Sequence, residues 1–325
     1  SAEGVGFIGN LNPSGTFRAA GPLLGLLAPE QLESLAYSMV VQARALRGPA
    51  GESNWGTPVG DADAAASAVL LAGALARGVR AVDAGEALTP LLKDWTLAAA
   101  RWQEPSAAAG GLATLGADAL GELARRSGEA QLGAAFQARA ALQRQRVPDD
   151  LWLQAQHNLD GVLRLADGRE GLADRLHAWF APANPAAWPW SVAFQHVPWL
   201  YMQSSQPWAG DQLLRRLWRQ SALPQPGPGE QPEQWAWTCF AILGLYPVTP
   251  QRGDYYWSAP MVEAAHLQLA DALLALETAY EAPAGGGEVR RMLLNGTVQV
   301  SRSLTHRQLL GGGVLRFEST GLTDQ

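Results

Sequence analysis

Trp235–Val248, W-A-W-T-C-F-A-I-L-G-L-Y-P-V, is the stretch whose reading decides the fold. It is apolar enough to be a buried helix, and its Gly244 supplies the positive φ that ends helices before Pro247 carries the chain away. Upstream, apolar residues recur every three to four positions. Downstream, from Tyr255, they recur every second position. The sequence therefore predicts helices before this stretch and strands after it.

Upstream, Pro29-Glu30-Gln31 opens a helix to about Arg47: proline is tolerated in a first turn, and an early glutamate suits the positive end of the dipole. Asp61 is read as the cap of an Ala-rich helix over 62–78. Further helices are read over 84–101, 112–127, 131–145, 151–166, 169–180, 208–220 and 233–244, with Gly128 between the fourth and fifth of the series. Short connections between helices of this length favour antiparallel hairpins. The predicted fold is mainly α, an (α/α) toroid of paired antiparallel helices over residues 1–250. A small C-terminal antiparallel β-sheet is predicted to pack on it, over 251–325. Its strands are read at 255–257, 266–269, 272–280, 289–294 and 314–318. Asn295-Gly296 is read as a hairpin turn, because both residues accept positive φ, and Gly311–Gly313 as a second turn.

Composition removes several classes of function. The chain has 325 residues, 47% hydrophobic and 17% charged, which is the composition of a folded globular protein. Its formal net charge of −6 argues against nucleic acid, which requires a basic face. Among 24 basic residues only Lys93 is a lysine, so amine nucleophiles are all but absent. A single cysteine, Cys239, excludes an internal disulfide framework and a cysteine-based metal cluster; inside an apolar helix it reads as buried filler. No run is long and apolar enough to span a bilayer. Thirteen tryptophans point toward sugar stacking or a partner surface, beyond those that fill the core.

Several segments taken in order resemble glycoside hydrolase family 92, the calcium-dependent exo-acting α-mannosidases. Thr16-Phe17-Arg18-Ala19-Ala20-Gly21-Pro22-Leu23-Leu24 is similar to the family's W-D-T-Y-R-x-x-x-P-L-L. Val59-Gly60-Asp61 is similar to its M-I-G segment. Ala187-Trp188 and the aromatic run beyond resemble E-G-N-A-W-Q-Y. The opening stretch, through Leu243-Gly244-Leu245-Tyr246-Pro247-Val248, resembles S-A-W-Y-V-F-S-A-L-G-F-Y-P-V. Leu293-Leu294-Asn295-Gly296, Thr305-His306 and Gly312-Gly313-Val314-Leu315 are similar to the closing strands. The resemblance implies the helical toroid, a calcium ion, a periplasmic or extracellular place and a glycan ligand. It also implies an N-terminal β-sandwich, which these residues do not include.

The departures fall on the chemistry. The resemblance places the general acid at the first residue of E-G-N-A-W, where this chain has Asn184. The Trp and Asp of W-D-T-Y-R fall on Ser14 and Gly15. The carboxylate loop G-N-D-D-x-G-Q corresponds to Gly227-Pro228-Gly229-Glu230-Gln231-Pro232-Glu233. Glycoside hydrolysis needs two carboxyl groups flanking the bond, and the surviving pair is Glu230 with Glu233. Glu233 also reads as a helix cap and Glu230 as a solvated side chain. Trp188, Trp190 and Trp237 are the candidate sugar-stacking residues, His196 in the aromatic run a candidate base or ligand contact, Arg18 a candidate hydroxyl or carboxylate ligand, and Asp61 a candidate at the ring's mouth that equally explains itself as a helix cap. The carboxylates needed for calcium do not assemble from the sequence, so no metal or other cofactor is expected. His157 and His177 lie on separate helices without metal-ligand spacing.

Three functions follow as expectations: a non-catalytic relative of the α-mannosidases that binds a glycan or serves as a scaffold in a larger assembly; an active glycoside hydrolase with rearranged carboxylates; and a purely structural subunit with a protein partner.

Overall fold

The expected change from helix to strand occurs where the sequence places it. The helix Pro232–Leu243 stops at Gly244, whose φ is +67°, and Leu245–Tyr246 continue as strand. A Cβ at Gly244 would lie 2.5 Å from the Ser258 carbonyl oxygen, so glycine is required for close approach as well as for backbone angle. The computed structural model describes residues 11–46, 61–80, 92, 107–146, 151–181, 194–220, 232–280 and 288–320. The helix expected over 84–101 lies outside them except for Leu92.

The described helices are α1 (Ala20–Leu27), α2 (Pro29–Leu46), α3 (Asp61–Ala76), α4 (Ala107–Arg126), α5 (Ala130–Arg146), α6 (Leu151–Gln154), α7 (Leu159–Leu165), α8 (Gly168–Phe180), α9 (Pro207–Gln220) and α10 (Pro232–Leu243), with a 3-10 helix at Val197–Gln203. The strands are β1 (Leu245–Tyr246), β2 (Asp254–Trp257), β3 (Ala264–Gln268), β4 (Leu273–Tyr280), β5 (Glu288–Leu294), β6 (Thr297–Val298), β7 (Ser303–Thr305) and β8 (Gly313–Thr320), with helix α11 (His306–Leu310) before the last. The fold class is the expected one, mainly helical with a small C-terminal sheet region.

Internal contacts divide the chain into two compact units, 1–159 with 249–253, and 160–248 with 254–325. This partition differs from a division at residue 250, because Thr249–Gly253 packs with the first helices while the helices after Asp160 pack with strands.

In the first unit, α3 buries Ala64, Ala65, Ala66, Ala68, Val69, Leu70, Leu71 and Ala72. A helix that is apolar all round has neighbours all round, and small side chains let them come close. α4 and α5 form the expected hairpin through Gly128, φ +79°. Arg77 extends from the end of α3 and donates from Nη1 to the carbonyls of Gly73 (2.9 Å) and Pro250 (2.7 Å), holding the 249–253 segment in place.

The helix expected over 151–166 is broken. It runs as α6, a turn, and α7. At this break the carbonyls of Gln156 and His157 accept hydrogen bonds from the side chains of Gln251 (3.3 Å) and Arg252 (3.4 Å). The break coincides with the boundary between the units.

In the second unit an aromatic core joins helices to strands. Trp199 stacks on Tyr246 with ring centroids 5.2 Å apart, Phe240 packs against Tyr246 and Tyr255, and Trp257 meets Phe317 edge-on. Burying each such ring contributes about 2–3 kcal/mol. One sheet runs β1-β2-β7 and is antiparallel throughout. The other runs β3-β4-β8-β5-β6 and is mixed, because β4 and β8 pair in parallel, Leu274 with Gly313 through Tyr280 with Ser319. Asn295 (φ +51°) and Gly296 (φ +80°) make the expected hairpin between β5 and β6.

Candidate functional site

Pro232 opens α10 and places Glu233 in its first turn, where the dipole favours a carboxylate. Glu233 is fully buried. One turn on, Trp237 lies on the same face and is also buried. Its indole Nε1–H donates to the Gln195 carbonyl at 3.0 Å. Gln195 and the following His196 are buried in turn, and the 3-10 helix begins at the next residue. The structure thus gathers Glu233 and Trp237 on one helix face and ties that face to the Gln195–His196 segment. Buried ionisable groups persist only with partners. With its N–H donated to a backbone carbonyl and its rings buried, Trp237 anchors α10 to the Gln195–His196 segment.

The other candidates are distributed differently. Glu230, Trp188 and Trp190 lie outside the described residues, as does the side chain of Asp61, whose backbone opens α3 in the first unit. Arg18, also in the first unit, is buried with its guanidinium carbon 4.1 Å from the Phe17 ring centroid, a cation–π arrangement. Cys239 is half-buried, and burial raises its thiol pKa above the usual value, which keeps it protonated.

Calcium takes six to eight oxygen ligands, several of them carboxylates. Among the described residues no group of three or more His, Cys, Asp or Glu side chains could hold a metal ion.

Asp211 on α9 is the residue that reading the sequence missed. It is buried, and its Oδ1 accepts the Ala259 N–H at 3.0 Å. Burial pushes its pKa up to about 6; the positive charges of Arg302 and Arg215 and the backbone N–H groups of Ala259 and Val289 pull it back down. Arg302 donates to the Val289 carbonyl at 2.7 Å and lies over the Trp257 ring, 4.3 Å from its centroid. This cluster ties α9 to the strands beyond it. Its sequence signal is an aspartate on the apolar face of α9, three residues before buried Leu214.

The sequence model of the glycosyl hydrolase family 92 catalytic domain matches residues 150–320, more than half of the chain. The chain belongs to glycosyl hydrolase family 92. Solved family 92 structures share its fold. An inverting family 92 mannosidase of Bacteroides thetaiotaomicron VPI-5482 is 20% identical with a TM-score of 0.76, over 95% of this chain and 53% of that one. A family 92 α-mannosidase of Bacteroides thetaiotaomicron, solved with mannoimidazole, is 18% identical with a TM-score of 0.80, over 99% and 52%. The family 92 glycosyl hydrolase ccman5 is 14% identical with a TM-score of 0.77, over 100% and 55%. The chain spans about half the length of these solved family 92 relatives. No curated protein matches the family 92 chain at comparable significance.

Proposed function

We propose that this chain is a non-catalytic member of family 92 that binds a glycan, either alone or as a subunit of a larger assembly outside the cytoplasm. The observation that carries the reading is Asn184. It stands where the family resemblance places the general acid, and a carboxamide has no proton to give a leaving oxygen at any physiological pH. Gly15 in place of an aspartate and the Pro/Gly-rich 227–229 segment add to it. The burial of Glu233 also supports it, since an acid or base must reach the substrate within hydrogen-bonding distance. Trp188 and Trp190 are the proposed sugar-stacking residues of the inherited pocket. Incubation with an aryl α-mannoside, with and without calcium, tests the reading. The expected result is no release of the aryl group above buffer, together with binding of an α-mannoside. Turnover abolished by Glu230→Gln would overturn it in favour of a rearranged hydrolase.

A further inference from the structure

The five-stranded sheet ends on β6, the strand that returns from the Asn295-Gly296 turn. The Gln299 N–H donates to the Met292 carbonyl at 2.9 Å, so Met292 and Gln299 form a hydrogen-bonded pair of the antiparallel ladder. Such pairs alternate with pairs that exchange no hydrogen bond. The neighbouring pair, Leu293 with Val298, is therefore of the second kind, and Val298 turns its N–H and C=O away from β5. Val300 repeats that orientation two residues on, before the chain bends at Ser301. Beyond the pairing with β5, no hydrogen bond among the described residues reaches the backbone of Val298 or Val300.

The side chains on this edge are as open as its backbone. Val298 is 47% exposed and Val300 98%. Two residues apart on an extended chain, they share one face, beside the half-buried Leu293 that pairs with Val298 across the strands. Folded proteins ordinarily block a sheet edge with lysine, proline or an inward-pointing charge. Residues 292–301 hold no lysine, no proline and no charged side chain. An apolar edge left open in this way is a template for another strand.

The sequence of the edge specifies which strand. Thr297-Val298-Gln299-Val300-Ser301 reads nearly the same in both directions about Gln299, with a valine on either side of the centre and a small hydroxyl residue at each end. We infer that β6 pairs antiparallel with β6 of a second copy of this chain, about a twofold axis at Gln299, so that the two five-stranded sheets become one continuous sheet. Val298 then lies opposite Val300 of the partner subunit, and Val300 opposite Val298 of the partner subunit. All four residues direct N–H and C=O outward, so each of these pairs exchanges two hydrogen bonds. Gln299 meets its own copy as the intervening non-bonded pair, which agrees with its N–H already going to Met292. The four valines gather on a single face as cross-strand neighbours. Such a contact is isologous and closes at two copies. Residues 292–301 place no charge at the axis, so a chain of net charge −6 meets its copy there without local repulsion. The pairing does not depend on whether the chain binds a glycan.

The test is sedimentation equilibrium of the full chain over a concentration series, with amide hydrogen exchange measured at both ends of the series. A contact of one strand is small, so the association is expected to be reversible and concentration-dependent. The expected result is a mass that rises from 34.6 kDa toward twice that value, with slower exchange of the Val298 and Val300 amides in the concentrated sample. Val300→Lys brings two ammonium groups near the axis, and Val300→Pro removes one outward N–H from each chain. Each is expected to weaken the association about tenfold, whereas Val300→Thr keeps it. At 98% exposure Val300 accepts all three substitutions without unfolding, which unchanged thermal midpoints verify. A mass that stays at that of one chain up to about 1 mM would refute the inference. Self-association that Val300→Lys and Val300→Pro leave unchanged would also refute it, by placing the contact on another face.

Discussion

Replacing Asp211 with asparagine separates burial from ionisation at one point in the molecule. Asparagine has the same shape and still offers an oxygen to the Ala259 N–H, but it does not titrate. The folded-state pKa of Asp211 is raised from 3.8 to about 6. A raised carboxyl pKa means that the folded state holds the proton more tightly than the unfolded state. The stability it contributes is fully present below about pH 3.8 and is lost as pH rises through about 6. Two units at about 1.4 kcal/mol each give a total near 3 kcal/mol. Of this, about 2 kcal/mol falls between pH 4.5 and 7.5. Asp211→Asn therefore gains about 2 kcal/mol on wild type over that interval, near 0.7 M in urea midpoint for a slope of ~3 kcal/mol/M. Urea unfolding of both proteins at several pH values, followed by tryptophan fluorescence, measures it. Every other titrating group is common to the two proteins and cancels in the difference. Parallel stability curves would refute the claim that burial dominates at Asp211. A difference of opposite sign would show that the Arg302 charge outweighs desolvation.

Other substitutions test the framework. Gly244→Ala puts a Cβ 2.5 Å from the Ser258 carbonyl oxygen at a φ of +67°, and a loss of about 2 kcal/mol or more is expected in urea unfolding. Trp237→Phe removes the donor to the buried Gln195 carbonyl, and about 1–3 kcal/mol is expected to be lost in urea unfolding. Thr305→Ala deletes a capping box in which the Thr305 side chain accepts the Gln308 N–H and the Gln308 side chain returns to the Thr305 N–H. About 1 kcal/mol should be lost, measurable as a lower thermal midpoint.

Features encoded by local chemistry were legible in the sequence. The stop at Gly244, the Asn295-Gly296 turn and the change of period each depend on residues within a few positions of one another. Strand direction was not legible. Alternation marks β4 and β8 as strands, but pairing them in parallel depends on the path of the chain between them. The break at 156–158 was equally hidden, since the groups that capture its carbonyls arrive from Gln251 and Arg252, 95 residues away. Helix α11 has a local signal in the sequence: Thr305-His306-Arg307-Gln308 has the capping-box pattern. At the candidate site, Glu233 and Trp237 were singled out for separate roles, as a carboxylate beside Glu230 and as a stacking ring, and residue type alone did not reveal that both are buried.

The central claim, that a family 92 framework is kept here without its hydrolytic acid, is tested most directly by assaying the chain for turnover. Wild type and Glu230→Gln are to be compared for release of the aryl group from an aryl α-mannoside in the presence of calcium, alongside binding of methyl α-mannoside to each. The account predicts a wild type that binds the mannoside and releases nothing above buffer. Release by wild type that disappears in Glu230→Gln would contradict it.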